Sequence, residues 1–411
     1  MRAADMHKRE RSNVALFLSG RSLSVLMSCV YSFAMGLYVL KATGSGLSFA
    51  VTLSIQIVPT VLIGPFAGVL ADRFDKKILV VATDALSGAL FLVLFFASSG
   101  GLTLWGIYAA TLLFSLFQTL YNVSIDSAVP DIVSEQKILM LNSVGKIVDS
   151  SAAIISPSLG GVLYAVLDIR AFVLFNGIAY VLCTAAEGLI DFHLSGAPEP
   201  RTERLNLRRD FAQGVDYIKR TGWIRGSLLN FITVNFFLAL CYSVPVPYIL
   251  NNIFRLSPTT YGIAQCFLPI GSIAGALLVK KVTGLVPSGR LMTLAGILCS
   301  VCLFLFGALP ALSAHPPLYL IVPYYGFLLA CSGLIVSLID IPFINNFQTL
   351  VPEDIRGRSL SISISAVKVF APVGYLLSGS LIGVAPAFYP PLFGGIALGL
   401  FYLTFHKRIG G

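Results

Sequence analysis

Apolar residues in this chain form long unbroken runs separated by short polar stretches. They do not alternate as in a strand, nor narrow to the stripe of a surface helix. A helix rises about 1.5 Å per residue, so about 20 residues cross a hydrocarbon layer about 30 Å thick. Twelve runs meet that length or approach it: 13–40, 47–70, 78–98, 103–127, 139–167, 171–189, 227–250, 261–279, 291–309, 318–347, 360–384 and 388–405. In lipid each backbone amide must find its partner within the segment, which makes these runs helices. The pattern predicts an all-α integral membrane protein of twelve transmembrane helices, spans 1 to 12.

The longest polar stretch, 191–226, divides the chain into a six-span bundle at 1–190, a linker, and a second six-span bundle at 227–411. Within the linker, Leu207, Phe211, Val215 and Ile218 recur at helical spacing, with Arg208, Arg209 and Lys219 beside them. That stripe predicts an amphipathic helix on the membrane surface, its basic residues toward anionic headgroups. The two halves echo each other. Val129-Pro130-Asp131 follows span 4 and Val351-Pro352-Glu353 follows span 10, the prolines standing 222 residues apart. Each is followed by a long span that contains a proline, Pro157 or Pro372. Lys76-Lys77 after span 2 pairs with Lys280-Lys281 after span 8. Two pseudo-symmetric bundles are the repeat organisation of secondary transporters.

Composition supports the class. Hydrophobic residues make up 56% and charged residues 11%, against about 25% charged in soluble domains. The net charge of +9 points to nucleic acid only until its distribution is seen. Of the 28 lysines and arginines, Lys41, Arg170 and Arg255 fall on one side, Arg21, Lys146 and Lys368 lie inside spans, and the other 22 fall on the opposite side. Such a bias places both termini and the linker in the cytoplasm. The basic N-terminal arm is not read as a secretory leader. The run after it is longer than a 7–15-residue signal core and ends in no small-residue cleavage site, so span 1 is expected to stay uncleaved.

No soluble-enzyme chemistry is legible. The seven cysteines all sit in apolar runs; Cys299 and Cys302 have C-x-x-C spacing without a second pair, and the four histidines are scattered. They read as packing residues, with no metal, cofactor or catalytic constellation.

Ionisable residues at membrane depth are costly unless paired or facing water. Those here are Arg21, Asp84, Lys146, Asp149, Asp340 and Lys368. Lys146 and Asp149 share a helix face, and Arg21 lies deep enough to join Asp149. Asp340 stands 11 residues before Val351 and Lys368 stands 11 after Gly357, both about 16 Å in from the cytoplasmic surface. Two readings of that pair stay open: an exchange switch in which Asp340 takes a proton when Lys368 moves away, with Asp149 as reserve carrier, or a static salt bridge. Glu187, near a span end, is expected to reach the interface by snorkelling.

A substrate cavity is expected from polar and aromatic residues on three spans. Phe114, Phe117, Gln118, Tyr121 and Asn122 share a face of span 4. Span 7 carries Asn230, Asn235 and Tyr242 before Pro245 and Pro247, and span 10 carries Tyr324 and Tyr325. Lipid offers an amide no partner, which favours a water-filled or ligand-filled space there. A wide mixed surface suits an amphipathic molecule.

The segment Gly68-Val69-Leu70-Ala71-Asp72-Arg73-Phe74-Asp75-Lys76-Lys77 resembles the G-x-L-A-D-R-x-G-R-K signature of the major facilitator superfamily, and stands at that family's position between spans 2 and 3. Asp75 occupies the place of the family's glycine. Arg356-Gly357-Arg358 after span 10 is a further likeness. Ser156-Pro157-Ser158-Leu159-Gly160-Gly161 in span 5 is similar to the G-P-x-x-G-G element of the family's drug:proton antiporters, with Ser156 for the first glycine. Within the family the chain most resembles the bacterial macrolide-efflux and enterobactin-exporter branch, on Thr43-Gly44-Ser45, the Val-Pro-Asp turn and Asp210-Phe211-x-x-Gly214-Val215-x-Tyr217.

The resemblance implies a cytoplasmic gate. Asp72 is expected against the N-terminus of span 11, near Ser359 and Leu360, in the outward-open state, where the helix dipole favours its charge. Lys76 or Lys77 is expected to pair with Asp126. The family's drug exporters often carry an acid in span 1 or an arginine in span 4; here span 1 carries Arg21, so no coupling residue transfers by likeness. The leading expectation is a monomeric exporter of a drug, macrolide or siderophore in a bacterial inner membrane, driven by inward proton flow, with the bilayer as its other partner and no nucleic acid. Uptake, lipid flipping and a membrane receptor or scaffold are the alternatives.

Overall fold

The computed structural model describes residues 3–98, 101–192, 194, 207–313 and 316–409. Among the described residues there are helices and no strands. In chain order the helices are α1 (Ala3–Thr43), α2 (Gly46–Arg73), α3 (Lys76–Ala97), α4 (Leu104–Ile132), α5 (Glu135–Val166), α6 (Ile169–Gly188), α7 (Leu207–Arg220), α8 (Gly222–Leu238), α9 (Pro245–Tyr248), α10 (Pro258–Gln265), α11 (Phe267–Leu285), α12 (Ser288–Leu312), α13 (Leu318–Leu350), α14 (Glu353–Val369), α15 (Ala371–Val384) and α16 (Tyr389–Ile409). Among the described residues, eleven helical segments are long and apolar enough to cross a membrane, and Tyr389–Thr404 is a shorter apolar helix. The fold is all-α and the protein a multi-pass membrane protein.

Local chemistry sets the boundaries. Asp75 adopts φ −58° and its carboxylate accepts from the amides of Lys77 and Ile78, so it starts α3 as an N-cap, and this turn has no need of the family's glycine. Thr103 and Asp168 cap α4 and α6 in the same way. Span 7 is not one α-helix. Ala239–Ser243 and Ile249–Ile253 are π-helical and flank α9, which begins at Pro245. A widened turn accommodates a proline that cannot donate and whose ring strikes the preceding turn. Span 11 is also interrupted, by a single turn residue at Phe370 before Pro372, into α14 and α15.

The chain groups into two compact units, residues 1–35 with 55–203, and residues 36–54 with 204–411. The hairpin joining spans 1 and 2 thus belongs with the second unit. Its Gly46 and Ala50 lie directly beneath Gly379 of α15, where an added Cβ would stand 2.7 Å from Ala50. In the first unit α3 packs on α6 and on α4. Tyr31, Phe91, Phe114 and Tyr180 form a ring cluster there with centroid spacings of 4.8–5.7 Å. Phe17, Val80, Tyr121, Ile125 and Leu141 belong to the apolar core near the start of α1.

In the second unit the same pairing recurs, with α12 on α16 and on α13. Glycines set the approach. A side chain at Gly271 would strike the backbone of Ala330, one at Gly333 the backbone of Leu268, and one at Gly296 the ring of Tyr402. Small residues of this kind let lipid-embedded helices close to backbone contact. The linker helix α7 rests on α14 and α8, burying Ile218 and leaving Phe211 exposed.

Candidate functional site

A partly open cavity of about 180 Å³ lies inside the first unit. Ser28 and Ser32 of α1 face it, with Gln56 and Thr60 of α2 and Phe114, Ser115, Gln118, Thr119 and Asn122 of α4. Eight of these nine are polar, so the wall offers hydroxyls and amides around one aromatic ring. The same groups tie the helices together. Ser115 donates to the Gln56 carbonyl at 2.6 Å, Gln56 to the Ser32 carbonyl at 3.4 Å, and the hydroxyls of Thr60 and Thr119 are 3.2 Å apart.

Of the five span 4 residues expected from sequence to line a cavity, Phe114, Gln118 and Asn122 do so and Phe117 does not. Tyr121 is fully buried and points elsewhere. The serines and threonines of spans 1 and 2 escaped sequence reading, because hydroxyls in a helix usually bond to their own backbone and carry no distinctive spacing.

An ionic cluster stands beside Phe17. Arg21 is 4% exposed. Its guanidinium reaches Asp126 at 2.7 Å and both oxygens of Asp149 at 3.0 and 3.1 Å, and stands over the Phe17 ring at 5.9 Å. Lys146 approaches Asp149 at 3.7 Å from an exposed position. Arg21 is therefore the centre of the cluster, forking between carboxylates of α4 and α5, a geometry only a guanidinium supplies.

The expected bond from Lys76 or Lys77 to Asp126 is not formed. Asp126 is held by Arg21. Lys76 pairs instead with Asp131 at 2.6 Å and donates to the Ser127 carbonyl, and Lys77 donates to the Ile190 carbonyl. Asp126 lies five residues before Asp131 on α4, which places Asp131 nearer the turn from which Lys76 projects. The side chains of Gly68, Asp72, Arg73, Arg356, Gly357 and Arg358 lie outside the described residues.

A second polar group is enclosed between α3, α4, α6 and α1. Asp84 and Glu187 are both 0% exposed. Tyr121 donates to Glu187 at 2.6 Å and Ser24 to Asp84 at 3.3 Å. Gln118, on the cavity wall, donates to the Tyr180 hydroxyl, and Tyr180 donates to the Ser24 carbonyl. Sequence reading noted Asp84 only as a deep charge. It also expected Glu187 to snorkel out, and the structure corrects this: Glu187 turns inward under Gly20, where an added Cβ would meet its Cγ at 2.9 Å.

The residues expected to serve the site from the second half are used differently. Asn230 is buried and accepts from Tyr402. Asn235 bonds to its own helix at the Phe231 carbonyl. Tyr242 donates to Gln265 at 2.9 Å, and Tyr325, fully buried, donates to the Phe306 carbonyl. Asp340 and Lys368 are both exposed, and no ion pair or hydrogen bond joins them among the described residues.

A family model described as Major Facilitator Superfamily matches residues 17–375. The chain is 22% identical over 370 residues to macrolide efflux protein A of Streptococcus pyogenes, covering 88% of this chain and 87% of that protein. It is 26% identical over 388 residues to the MFS-type transporter YfiS of Bacillus subtilis, covering 92% and 90%. To the enterobactin exporter EntS of Escherichia coli O1:K1 it is 24% identical over 298 residues, covering 71% and 66%. Among solved structures, a bacterial homologue of the iron transporter ferroportin in an inward-facing state matches with a TM-score of 0.68 at 16% identity, covering 99% of this chain and all of that one. The nucleoside transporter NupG matches at 0.70 and 12% identity, covering 96% and 98%. These structural likenesses concern the fold.

Proposed function

We propose, from the premise that the chain belongs to the Major Facilitator Superfamily, that it exports an amphipathic small molecule from the bacterial cytoplasm by alternating access in exchange for protons. The observation that carries this reading is the cavity bounded by α1, α2 and α4. Its hydroxyls and amides face a space that lipid cannot satisfy, and Phe114 supplies an apolar surface beside them. A ligand with a ring or acyl face and several oxygens fits that mixture. Relatives named for macrolide and enterobactin export belong to that chemical class. The bias of basic residues supports a cytoplasmic side for both termini and α7; on that reading a cysteine at Lys219 is expected to resist a membrane-impermeant thiol reagent in intact cells.

The test is flux into inverted proteoliposomes with a pH gradient as the only energy source, using a macrolide and a catecholate siderophore as probes. Gradient-dependent accumulation of one probe, weakened by Gln118→Ala, is the expected result. Accumulation of neither probe, or movement indifferent to the gradient, ends the antiport reading for these substrates.

A further inference from the structure

Two carboxyl groups meet where α3 packs on α6, with no contact to water. Asp84 and Glu187 are both fully buried there and interact directly with each other. One oxygen of each, Asp84 Oδ2 and Glu187 Oε2, receives no hydrogen from any other group of the protein. Each of the other two oxygens is served by one hydroxyl, Tyr121 on Glu187 and Ser24 on Asp84. Two ionised carboxylates in this position would repel across a short gap in a medium that screens them poorly, with two acceptor oxygens left empty. One hydrogen between the groups removes both faults.

The other groups around the pair are Tyr121 from α4, Tyr180 and Cys183 from α6, and Arg21 from α1. Arg21 is already engaged by Asp126 and Asp149, so it moderates the charge of the pair without neutralising it by contact. A metal cation fits less well than a proton. It would need oxygen lone pairs turned inward, whereas both hydroxyls present hydrogens to the acids.

We propose that Asp84 and Glu187 form a proton-binding site that holds one proton between two carboxyl groups inside the first six-span bundle. The site is mechanically linked to the cavity. Gln118 lines the cavity and donates to the Tyr180 hydroxyl. Tyr180 holds the Ser24 carbonyl, and the Ser24 hydroxyl holds Asp84. This is a positioning link, because it passes through the backbone of Ser24 and cannot itself carry a proton. A ligand group that takes the Gln118 amide removes one tether of Tyr180 and loosens the seat of Asp84. Protonation and substrate occupancy thereby become coupled. That second step rests on the antiport reading above; the proton site does not.

The experiment is infrared difference spectroscopy on the full chain in nanodiscs across a pH titration. The expected result is one protonated-carboxyl C=O stretching band, shifted in D2O and lost in both Asp84→Asn and Glu187→Gln. Tyr121→Phe, which removes one hydrogen bond while leaving both acids, should shift the band without abolishing it. A band that survives both acid variants overturns the proposal, as do two separate bands removed one by each variant. Sodium added at constant pH should leave the band in place, and its displacement would assign the pair to a metal cation. A protein that shows the band but no gradient-driven flux supports the site and refutes antiport, so the two failures are distinguishable.

Discussion

Span 3 packs on span 6 in the first unit, and span 9 packs on span 12 in the second, yet the two interfaces are filled in opposite ways. Between α3 and α6 stand Asp84 and Glu187, with Tyr121 and Ser24 turned toward them. Between α12 and α16 a glycine, Gly296, lies flat against the ring of Tyr402. Among the described residues, the ion pairs formed within the spans, Arg21 with Asp126 and Asp149 and Lys146 with Asp149, also belong to the first unit. A buried polar network costs stability unless every member is satisfied. The first repeat thus buries two acids at this interface, whereas the second closes the matching interface by laying a helix against a ring.

The largest effect is expected where the first unit's charges depend on each other. The double variant Asp126→Asn, Asp149→Asn leaves Arg21, 4% exposed, without either carboxylate that bonds it. Removing the partners of a buried charge costs about 3–5 kcal/mol. Either single variant leaves one carboxylate and should cost less than half of that. Thermal unfolding in one detergent, run on all three, checks this; equal loss in the singles and the double would mean that Arg21 does not hold the cluster together.

The second unit should break differently, by volume. Gly296→Ala places a methyl inside the Tyr402 ring, and overpacking of this kind costs about 1–3 kcal/mol. Gly88→Ala at the matching interface of the first unit meets Tyr180 and Val181 at ordinary contact, 3.4 Å. It should be neutral or gain up to about 1 kcal/mol in helix propensity. Unfolding curves that put the two alanine variants in the reverse order would remove the contrast between the repeats.

A smaller loss is expected from Tyr402→Phe. It removes the hydroxyl that donates to buried Asn230, and leaving a buried acceptor unmet costs about 1–3 kcal/mol, toward the lower end for a neutral amide. Transport should persist, because the bond ties α16 to α8 and touches no cavity residue. Lost flux at unchanged stability would bring the second unit's polar groups into the mechanism.

How much of this was legible in sequence follows from what each signal depends on. The twelve spans were, since hydrophobic length is a property of the segment alone. Three of the five cavity residues of span 4 were legible too, Phe114 by its helical spacing and Gln118 and Asn122 because they are amides in lipid whatever their neighbours do. The partner of Lys76 was not: Asp126 is held by Arg21 from another helix, and Lys76 takes Asp131 instead. Glu187 was misread because closeness to a helix end permits snorkelling, while Gly20 and Tyr121, distant in sequence, open a space inside and supply a donor. Pairing across helices is a tertiary fact, and one chain carries no periodicity that reveals it.

The smallest effect is expected at Asp340, and it tests the comparison most directly. Equal depth on consecutive spans made Asp340 and Lys368 look like a pair that could exchange a proton. In the structure both are exposed and no bond joins them among the described residues. Lys368 has a different reason for its place. It occupies the last turn of α14, where unpaired carbonyls carry partial negative charge and a cation is favoured by about 0.3–1 kcal/mol. Asp340 is thus free of any obligation to neutralise it, and Asp340→Asn should change stability by less than about 0.5 kcal/mol. Gradient-driven flux should also remain within twofold of the parent, while Glu187→Gln in the same proteoliposomes loses it. Should Asp340→Asn uncouple flux from the gradient while Glu187→Gln does not, the proton is carried in the second repeat, and the polarity buried in the first serves only to hold helices together.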